Sequence, residues 1–334
     1  MSKKSAIVVT GDRPTGRLHL GHYVGSVLNR LSLQETHMLY YMIADMQALT
    51  DHADDPLAIR NSVFELALDN LACGVDPAKA TLFIQSAIPE IAEIALYFLN
   101  LVTLARLERN PTVKNEMREK GYDADVPAGF LIYPVSQAAD ILAFRGTVVP
   151  VGEDQLPVLE QVNEIVHKFN GLYGDLFAKI TPHLSSSPRL MGLDGKRKMS
   201  KSHGNAIYLS DAEEIVEEKV MSMYTDPLHL HPEDAGHLEG NTVFEYLTAF
   251  DTDVVGLAEL KKEYVAGGIG DVMVKKRLVG VLNTTLAPIR ERREYLGKKP
   301  DYVMGLLRQG TEKAREVASE TLTLVRKAVH SNYF

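Results

Sequence analysis

The sequence predicts an α/β protein: a parallel β-sheet covered by helices, followed by a second part that is helical throughout. Three observations carry this. Short β-branched or apolar runs alternate with longer stretches of helical spacing through the first half of the chain. The first run ends in a Gly/Pro-rich turn that leads into a helix. Beyond residue 207 no strand-like run remains. At 334 residues and 45% hydrophobic content, the chain is long enough for one large core and a smaller satellite.

Taken in order, residues 6–10 (Ala-Ile-Val-Val-Thr) form the first strand. The turn 11–16 follows, and a helical pattern starts near Gly21. Residues 38–44 and 80–84 read as two more buried strands with a helix over 56–71 between them. A fourth strand covers 148–151, between helices over 136–144 and 154–169. After the lysine-rich loop at 198–202, Ser210 with Glu213 fits a capping box that opens a helix running to about Tyr224. Ala314, Val317, Ala318, Thr321, Val325 and Ala328 fall at helical spacing and give the last helix an apolar stripe, read as core. That helix is a candidate to pack back on the first part.

Charge and cysteine content narrow the function classes. The single cysteine, Cys73, excludes an intramolecular disulfide and a cysteine metal cluster. Its neighbours Leu71, Ala72 and Gly74 point to a buried helix end. His229, His231 and His237 mimic a metal set, but no cysteine partners them and no metal site is expected. The apolar run at 6–9 is too short for a signal segment, and no apolar stretch reaches membrane-spanning length, so the expectation is a cytoplasmic protein. The net charge is −8, yet residues 255–334 carry 15 Lys and Arg against 9 Asp and Glu. That local +6 leaves −14 on the rest. An acidic body with a basic end suits a protein that holds RNA at that end; solvated helix faces explain it equally well.

Two short signatures carry the chemistry. The loop 11–18 superficially suggests a phosphate-binding loop, but Arg17 and Leu18 stand where Lys and Ser/Thr are required, and no G-x-G-x-x-G fingerprint is present. Next comes His19-Leu20-Gly21-His22. The two histidines, three apart at a helix start, share one face beside backbone N–H groups that attract anions, and Gly21 leaves room for a purine. The plain alternative is a pair of surface histidines in a turn. Lys198-Met199-Ser200-Lys201-Ser202 lies in a polar loop flanked by Gly192, Gly195 and Gly204, with no reason to be rigid without a ligand. Its two lysines and its hydroxyls suit phosphate oxygens, and a solvated basic loop is the alternative.

Together and in this order, the two signatures resemble the "HIGH" and "KMSKS" motifs of the class I aminoacyl-tRNA synthetases. The segments 133–142 (Tyr-Pro-Val-Ser-Gln-Ala-Ala-Asp-Ile-Leu) and 149–155 (Val-Pro-Val-Gly-Glu-Asp-Gln), with Arg13-Pro14-Thr15-Gly16 and Gly21-His22-Tyr23-Val24-Gly25, closely resemble the bacterial tryptophanyl members. The resemblance covers most of the first part. It implies a Rossmann-type catalytic domain over 1–207 and a mainly helical, anticodon-reading domain over 208–334. The implied activity is tryptophan–tRNA ligation, with ATP, Mg²⁺ bound on the ATP, L-tryptophan and tRNA(Trp) as partners, in a homodimer.

The resemblance also implies residue roles. His19, His22, Lys198 and Lys201 would act on the phosphates. Arg13, Pro14, Thr15, Gly21, His22, Gly152, Glu153, Asp154, Leu190, Lys198, Met199, Ser200, Lys201 and Ser202 would surround ATP. Asp140 would accept the indole N–H, Tyr133 and Gln155 would hold the substrate ammonium, and Gln137 and Gln47 would complete the pocket. A buried acceptor at Asp140 rejects phenylalanine, whose ring has no donor to satisfy it. Glu153 and Asp154 equally suit a structural role as charges at a helix N-terminus. The commoner bacterial members have Gln, His and Met where this chain has Arg13, Gln47 and Gln137. Arg13 is therefore open to the substrate carboxylate or to a phosphate, and Gln137 makes one pocket wall more polar. Tyrosine activation on the same fold, or a tryptophan-binding regulatory relative that charges no tRNA, are the competing functions.

Overall fold

The computed structural model describes residues 6–50, 52–122, 125–184, 190–229 and 231–333, with the side chain of Ser202 outside that description. Five parallel strands form the central sheet: β1 (Ile7–Asp12), β2 (Met38–Ile43), β3 (Ala80–Ile84), β4 (Val148–Val151) and β5 (Thr181–Leu184), in the order β3-β2-β1-β4-β5. The chain lays strands outward from β1 to β3, then crosses back to place β4 and β5 on the other side of β1. The strand order therefore reverses between β1 and β4, where open α/β sheets leave a crevice beyond the carboxyl ends of the strands.

Four strands lie where the sequence pattern places them, and the first runs further than expected. Gly11 and Asp12 continue β1 against Met42 and Ile43. A Cβ on Gly11 would meet the Met42 carbonyl oxygen at 2.8 Å, so a glycine is needed there. β5 was not expected. Its sequence, Thr-Pro-His-Leu, is exposed and has no apolar alternation, and Pro182 is tolerable because the strand is at an edge. Along β2 the side chains alternate between two cores: Tyr40 and Met42 face one, Tyr41 and Ile43 the other.

Numbering only helices of nine or more residues, α1 (Pro56–Cys73) is capped by Asp55, whose carboxylate accepts the Ala58 N–H, and ends at Gly74 with φ 111°. Cys73 is buried at that end, and burial pushes its thiol up to about 12. The helices α2 (Pro89–Leu99), α3 (Pro111–Lys120), α4 (Tyr133–Leu142) and α5 (Leu156–Tyr173) lie between β3 and β5 in sequence. α4 starts earlier than expected because Pro134 suits a first helical turn.

Helices α6 (Glu213–Met221), α7 (Thr242–Phe250), α8 (Val254–Ala266), α9 (Asp271–Gly297) and α10 (Pro300–Ala328) make up the rest. The capping box expected at Ser210 does not form. Helix α6 begins after Ala212 and ends at Met221, and the Ser210 hydroxyl is buried without a partner. Asp211 intervenes: its carboxylate accepts the Tyr208 N–H at 2.8 Å and the Lys219 ammonium at 2.6 Å, turning the chain before the helix can start at Ser210.

The last helix lies on the sheet. Ala314, Ala318, Leu322 and Val325 join the core cluster of β1, β2 and α4. Gly310 sits so close to the open edge of β3 that a Cβ there would be 1.9 Å from the Leu82 carbonyl oxygen, and Thr311 Oγ1 accepts the Ile84 N–H at 3.2 Å. A helix thereby covers an otherwise exposed strand edge. Among the described residues no helix is long and apolar enough to cross a membrane.

Candidate active site

At the carboxyl ends of β1, β2 and β4 lies a cavity of about 310 Å³. Arg13, Gln47, Tyr133, Gln137, Asp140 and Gln155, all singled out from the sequence, line it. They come from four places in the chain: the turn after β1, the segment after β2, helix α4, and the turn after β4. Asp12, Thr50, Glu116 and Phe130 line it as well, and no sequence motif pointed to them. An adjoining apolar cavity of about 370 Å³ shares Gln47, Thr50, Tyr133 and Asp140 with it.

Asp140 is the most unusual group there. It is 2% exposed on α4, and burial pushes its carboxyl up to about 7 against the opposing effect of one hydrogen bond from Gln85. That bond, Gln85 Nε2 to Oδ1, is 2.7 Å, while Oδ2 is buried without a partner. A buried acceptor with nothing to accept is costly, by about 1–3 kcal/mol, and marks a place for a donor.

The two signatures meet on the other side of β1. His19 caps the short helix Leu20–His22, and the His19 and His22 rings lie 3.7 Å apart. Burial, together with His22, Lys201 and Lys198, pushes His19 down to about 3. Burial against the pull of Asp12 leaves His22 at about 4. Both rings are therefore neutral at pH 7, His22 Nδ1 accepts the His19 backbone N–H at 3.3 Å, and His19 Nδ1 is buried without a partner. The lysine loop approaches from across the fold. Lys201 Nζ donates to the Gly16 carbonyl at 2.9 Å and to Thr15 Oγ1 at 3.3 Å, and Met199 Sδ accepts the Gly21 N–H at 3.3 Å. Leu20 N–H donates to the Ile207 carbonyl, and Leu209 N–H to that of Leu18, zipping the segment after the lysine loop to the first signature.

The lysine loop is more structured than its composition suggests. Asn205, 6% exposed, accepts the Ser200 N–H at 2.9 Å through Oδ1, and its Nδ2 donates to Asp194 at 3.3 Å and to the Lys198 carbonyl at 3.4 Å. Gly192 is required beside it, since a Cβ there would lie 1.9 Å from Asn205 Nδ2. Leu190 and Met199, expected around ATP, bury their side chains in the core, and the Met199 N–H donates to the Leu190 carbonyl at 3.3 Å. The Ser202 side chain lies outside the described residues. Pro14 is buried, and Thr15 and Lys198 are exposed. Gly152, Glu153 and Asp154 follow β4 in an exposed turn. The Asp154 side chain folds back so that a Cβ on Gly152 would be 2.6 Å from Oδ1, and its carbonyl accepts the Thr112 hydroxyl at 2.7 Å.

Beneath the first signature lies a polar network that sequence reading missed. Arg30 is 1% exposed, stacks 3.9 Å from the Tyr41 ring centre, and donates to Asp12 at 2.9 Å and to Asn70 at 2.5 Å. Tyr41 also donates to Asp12, at 2.9 Å. Burial raises the Asp12 carboxyl, but Arg30, His22 and Tyr41 outweigh it and hold it below its ordinary range.

Five arginines of the basic end are committed to ion pairs. Arg293 pairs with Glu65 and Asp69, Arg290 with Glu213, Arg277 with Asp251 and Asp253, Arg315 with Glu90, and Arg326 with Glu93. Its charge excess by itself does not mark an RNA surface. Elsewhere, His237 pairs with Asp226, and the buried His229 lies 3.4 Å from Asp271.

The reversed parallel sheet, with its two signatures closing on one crevice, defines a class I synthetase fold. A family model described as tRNA synthetases class I (W and Y) matches residues 1–287. Tryptophan–tRNA ligase of Clostridium longisporum is 55% identical over 98% of each chain, and that of Lactococcus lactis is 53% identical over 98% of each. A crystal structure of tryptophanyl-tRNA synthetase from Campylobacter jejuni, complexed with ADP and tryptophan, superposes with a TM-score of 0.86 at 30% identity, covering 97% of this chain and 99% of that one. The chain belongs to the bacterial tryptophanyl-tRNA synthetase family.

Proposed function

We propose that this chain is a tryptophan–tRNA ligase. A carboxylate oxygen of L-tryptophan attacks the α-phosphorus of ATP, and the bond from that phosphorus to the bridging oxygen breaks. Pyrophosphate leaves and tryptophanyl-adenylate remains. A hydroxyl of the terminal adenosine of tRNA(Trp) then attacks the activated carbonyl and AMP departs. No enzyme nucleophile is needed, only positioning and stabilisation of charge. The observation that carries the assignment is Asp140, a buried carboxylate in the crevice with one oxygen committed and the other unpartnered.

In this reading Asp140 accepts the indole N–H, Tyr133 and Gln155 hold the ammonium, and Gln137 and Gln47 close the pocket. His19 and His22 donate hydrogen bonds to the phosphates as neutral imidazoles, and Lys198 and Lys201 neutralise the departing pyrophosphate. Arg13, Pro14, Thr15, Gly21 and the turn Gly152 to Asp154 surround the nucleotide, with the backbone of Leu190, Met199 and Ser200. Ser202 is assigned to the same loop. Mg²⁺ is assigned to the phosphates of ATP, whose charge it would neutralise. Residues 1–207 form the catalytic domain and 208–334 the part that reads the anticodon. The active assembly is a homodimer in the cytoplasm.

Amino-acid-dependent ATP–pyrophosphate exchange across the twenty amino acids, followed by charging of tRNA(Trp), tests the proposal. Tryptophan alone should support both. Exchange with tyrosine and not tryptophan would overturn it in favour of the tyrosine enzyme, and exchange without charged tRNA would identify a regulatory relative.

A further inference from the structure

Asp140 does not hold its place alone. Gln85, 4% exposed at the carboxyl end of β3, donates from Nε2 to Asp140 Oδ1 at 2.7 Å, and its Oε1 accepts the backbone N–H of Gln47 at 3.1 Å. One amide thus joins the ends of β2 and β3 to helix α4. Its orientation is determined by its partners. A carboxylate can only accept and a backbone N–H can only donate, so a flipped amide would set oxygen against oxygen and N–H against N–H. The neighbouring residue doubles the clamp: the Ser86 N–H and hydroxyl both donate to the Asp45 carboxylate, on the same short helix as Gln47.

We infer that Gln85 is a positioning residue for amino-acid specificity. It holds the Asp140 carboxylate in one rotamer and saturates Oδ1, leaving Oδ2 as the acceptor offered to the indole N–H. The inference rests on the reading of Asp140 given above. A carboxylate free to turn would let either oxygen meet the substrate at a poorer angle, and hydrogen bonds weaken steeply with angle. The same N–H favours the ionised form of Asp140 against burial. Gln85 lines the adjoining apolar cavity, but both of its polar atoms are spent on Asp140 and Gln47, so its loss should appear as lost selectivity for the N–H rather than as a general loss of activation.

The test compares two substrates in ATP–pyrophosphate exchange: L-tryptophan and L-β-(3-benzothienyl)alanine, whose ring has sulfur in place of the N–H. Gln85→Met keeps the length and removes both hydrogen bonds. Gln85→Leu removes both as well, with a branched apolar chain of similar volume. Both should raise KM for tryptophan about 10- to 100-fold with a smaller change in kcat, and shift KM for the benzothienyl substrate by no more than about threefold. If Gln85→Met does not fold, Gln85→Leu decides alone. Equal losses for both substrates, or no loss for either, would overturn the inference. Asp140→Asn is the control. If it shifts the ratio of the two substrates and the Gln85 variants do not, only the role of Gln85 fails. If it leaves the ratio unchanged, the reading of Asp140 fails and the role of Gln85 falls with it.

Discussion

The two sides of the crevice differ in how their polar groups are satisfied. On the amino-acid side a single buried carboxylate is clamped by Gln85 and left with one open acceptor. On the phosphate side two neutral imidazoles and a lysine share a cluster of contacts, with Lys201 held by Gly16 and Thr15, and Gly21 N–H held by a thioether. A sulfur acceptor is weak and a lysine to a carbonyl is readily exchanged, so these contacts can give way to phosphate oxygens. The amino-acid side is shaped in advance for one donor. The phosphate side has contacts that can be traded for a ligand.

The largest effect should come from the amino-acid side. Asp140→Asn turns an anionic acceptor into an amide and should lower kcat/KM for tryptophan by about 10²–10³ in ATP–pyrophosphate exchange, with the fold intact by circular dichroism. Lys201→Ala should come next. Losing one charge at the departing pyrophosphate should slow adenylation about 10²-fold in single-turnover measurements while tryptophan affinity stays within about twofold. An unchanged rate would mean that the loop is structural or faces tRNA.

Both of those sites were legible in the sequence because their residues sit in short contiguous motifs. His19 to His22 and Lys198 to Ser202 each carry a local spacing that chemistry can explain, and Asp140 was reached through the family resemblance of the segment 133–142. What holds them was not legible. Gln85 lies 55 positions from Asp140, Arg30 lies 40 from Asn70, and Asn205 was a single polar residue beside a glycine-flanked loop. Such side chains acquire meaning only from partners that the fold brings together. The strand pattern was read well where strands are buried on both faces, and it failed at β5, an exposed edge strand with a proline. The basic excess near the end left RNA and solvated helix faces equally open, and the structure adds a third use, since many of its guanidiniums serve ion pairs that fasten α9 and α10 to the rest.

Smaller effects sharpen the contrast further. Asn205→Ala removes the acceptor of the half-buried Ser200 N–H. It should destabilise the chain by about 1–3 kcal/mol in denaturant melts and raise KM for ATP while leaving KM for tryptophan near its starting value. The last is a linkage effect on stability. Asp140 sits at about 7 in the folded chain against an ordinary 3.8, so between those values the folded state holds the proton and the unfolded state does not. Its contribution to stability is therefore greatest at low pH and falls as pH rises through that window. Asp140→Asn removes this dependence, so its melting temperature relative to the unaltered chain should be higher at pH 8 than at pH 4.5.

The most direct test of the amino-acid side is the pH dependence of tryptophan binding without nucleotide, measured by calorimetry on the unaltered chain and on Asp140→Asn. If the ionised Asp140 is the acceptor, affinity should rise about tenfold between pH 6 and pH 8, as the carboxyl loses its proton near 7, and the asparagine variant should bind weakly with a flat profile. Equal profiles for the two proteins, or a flat profile for the unaltered chain, would contradict the account.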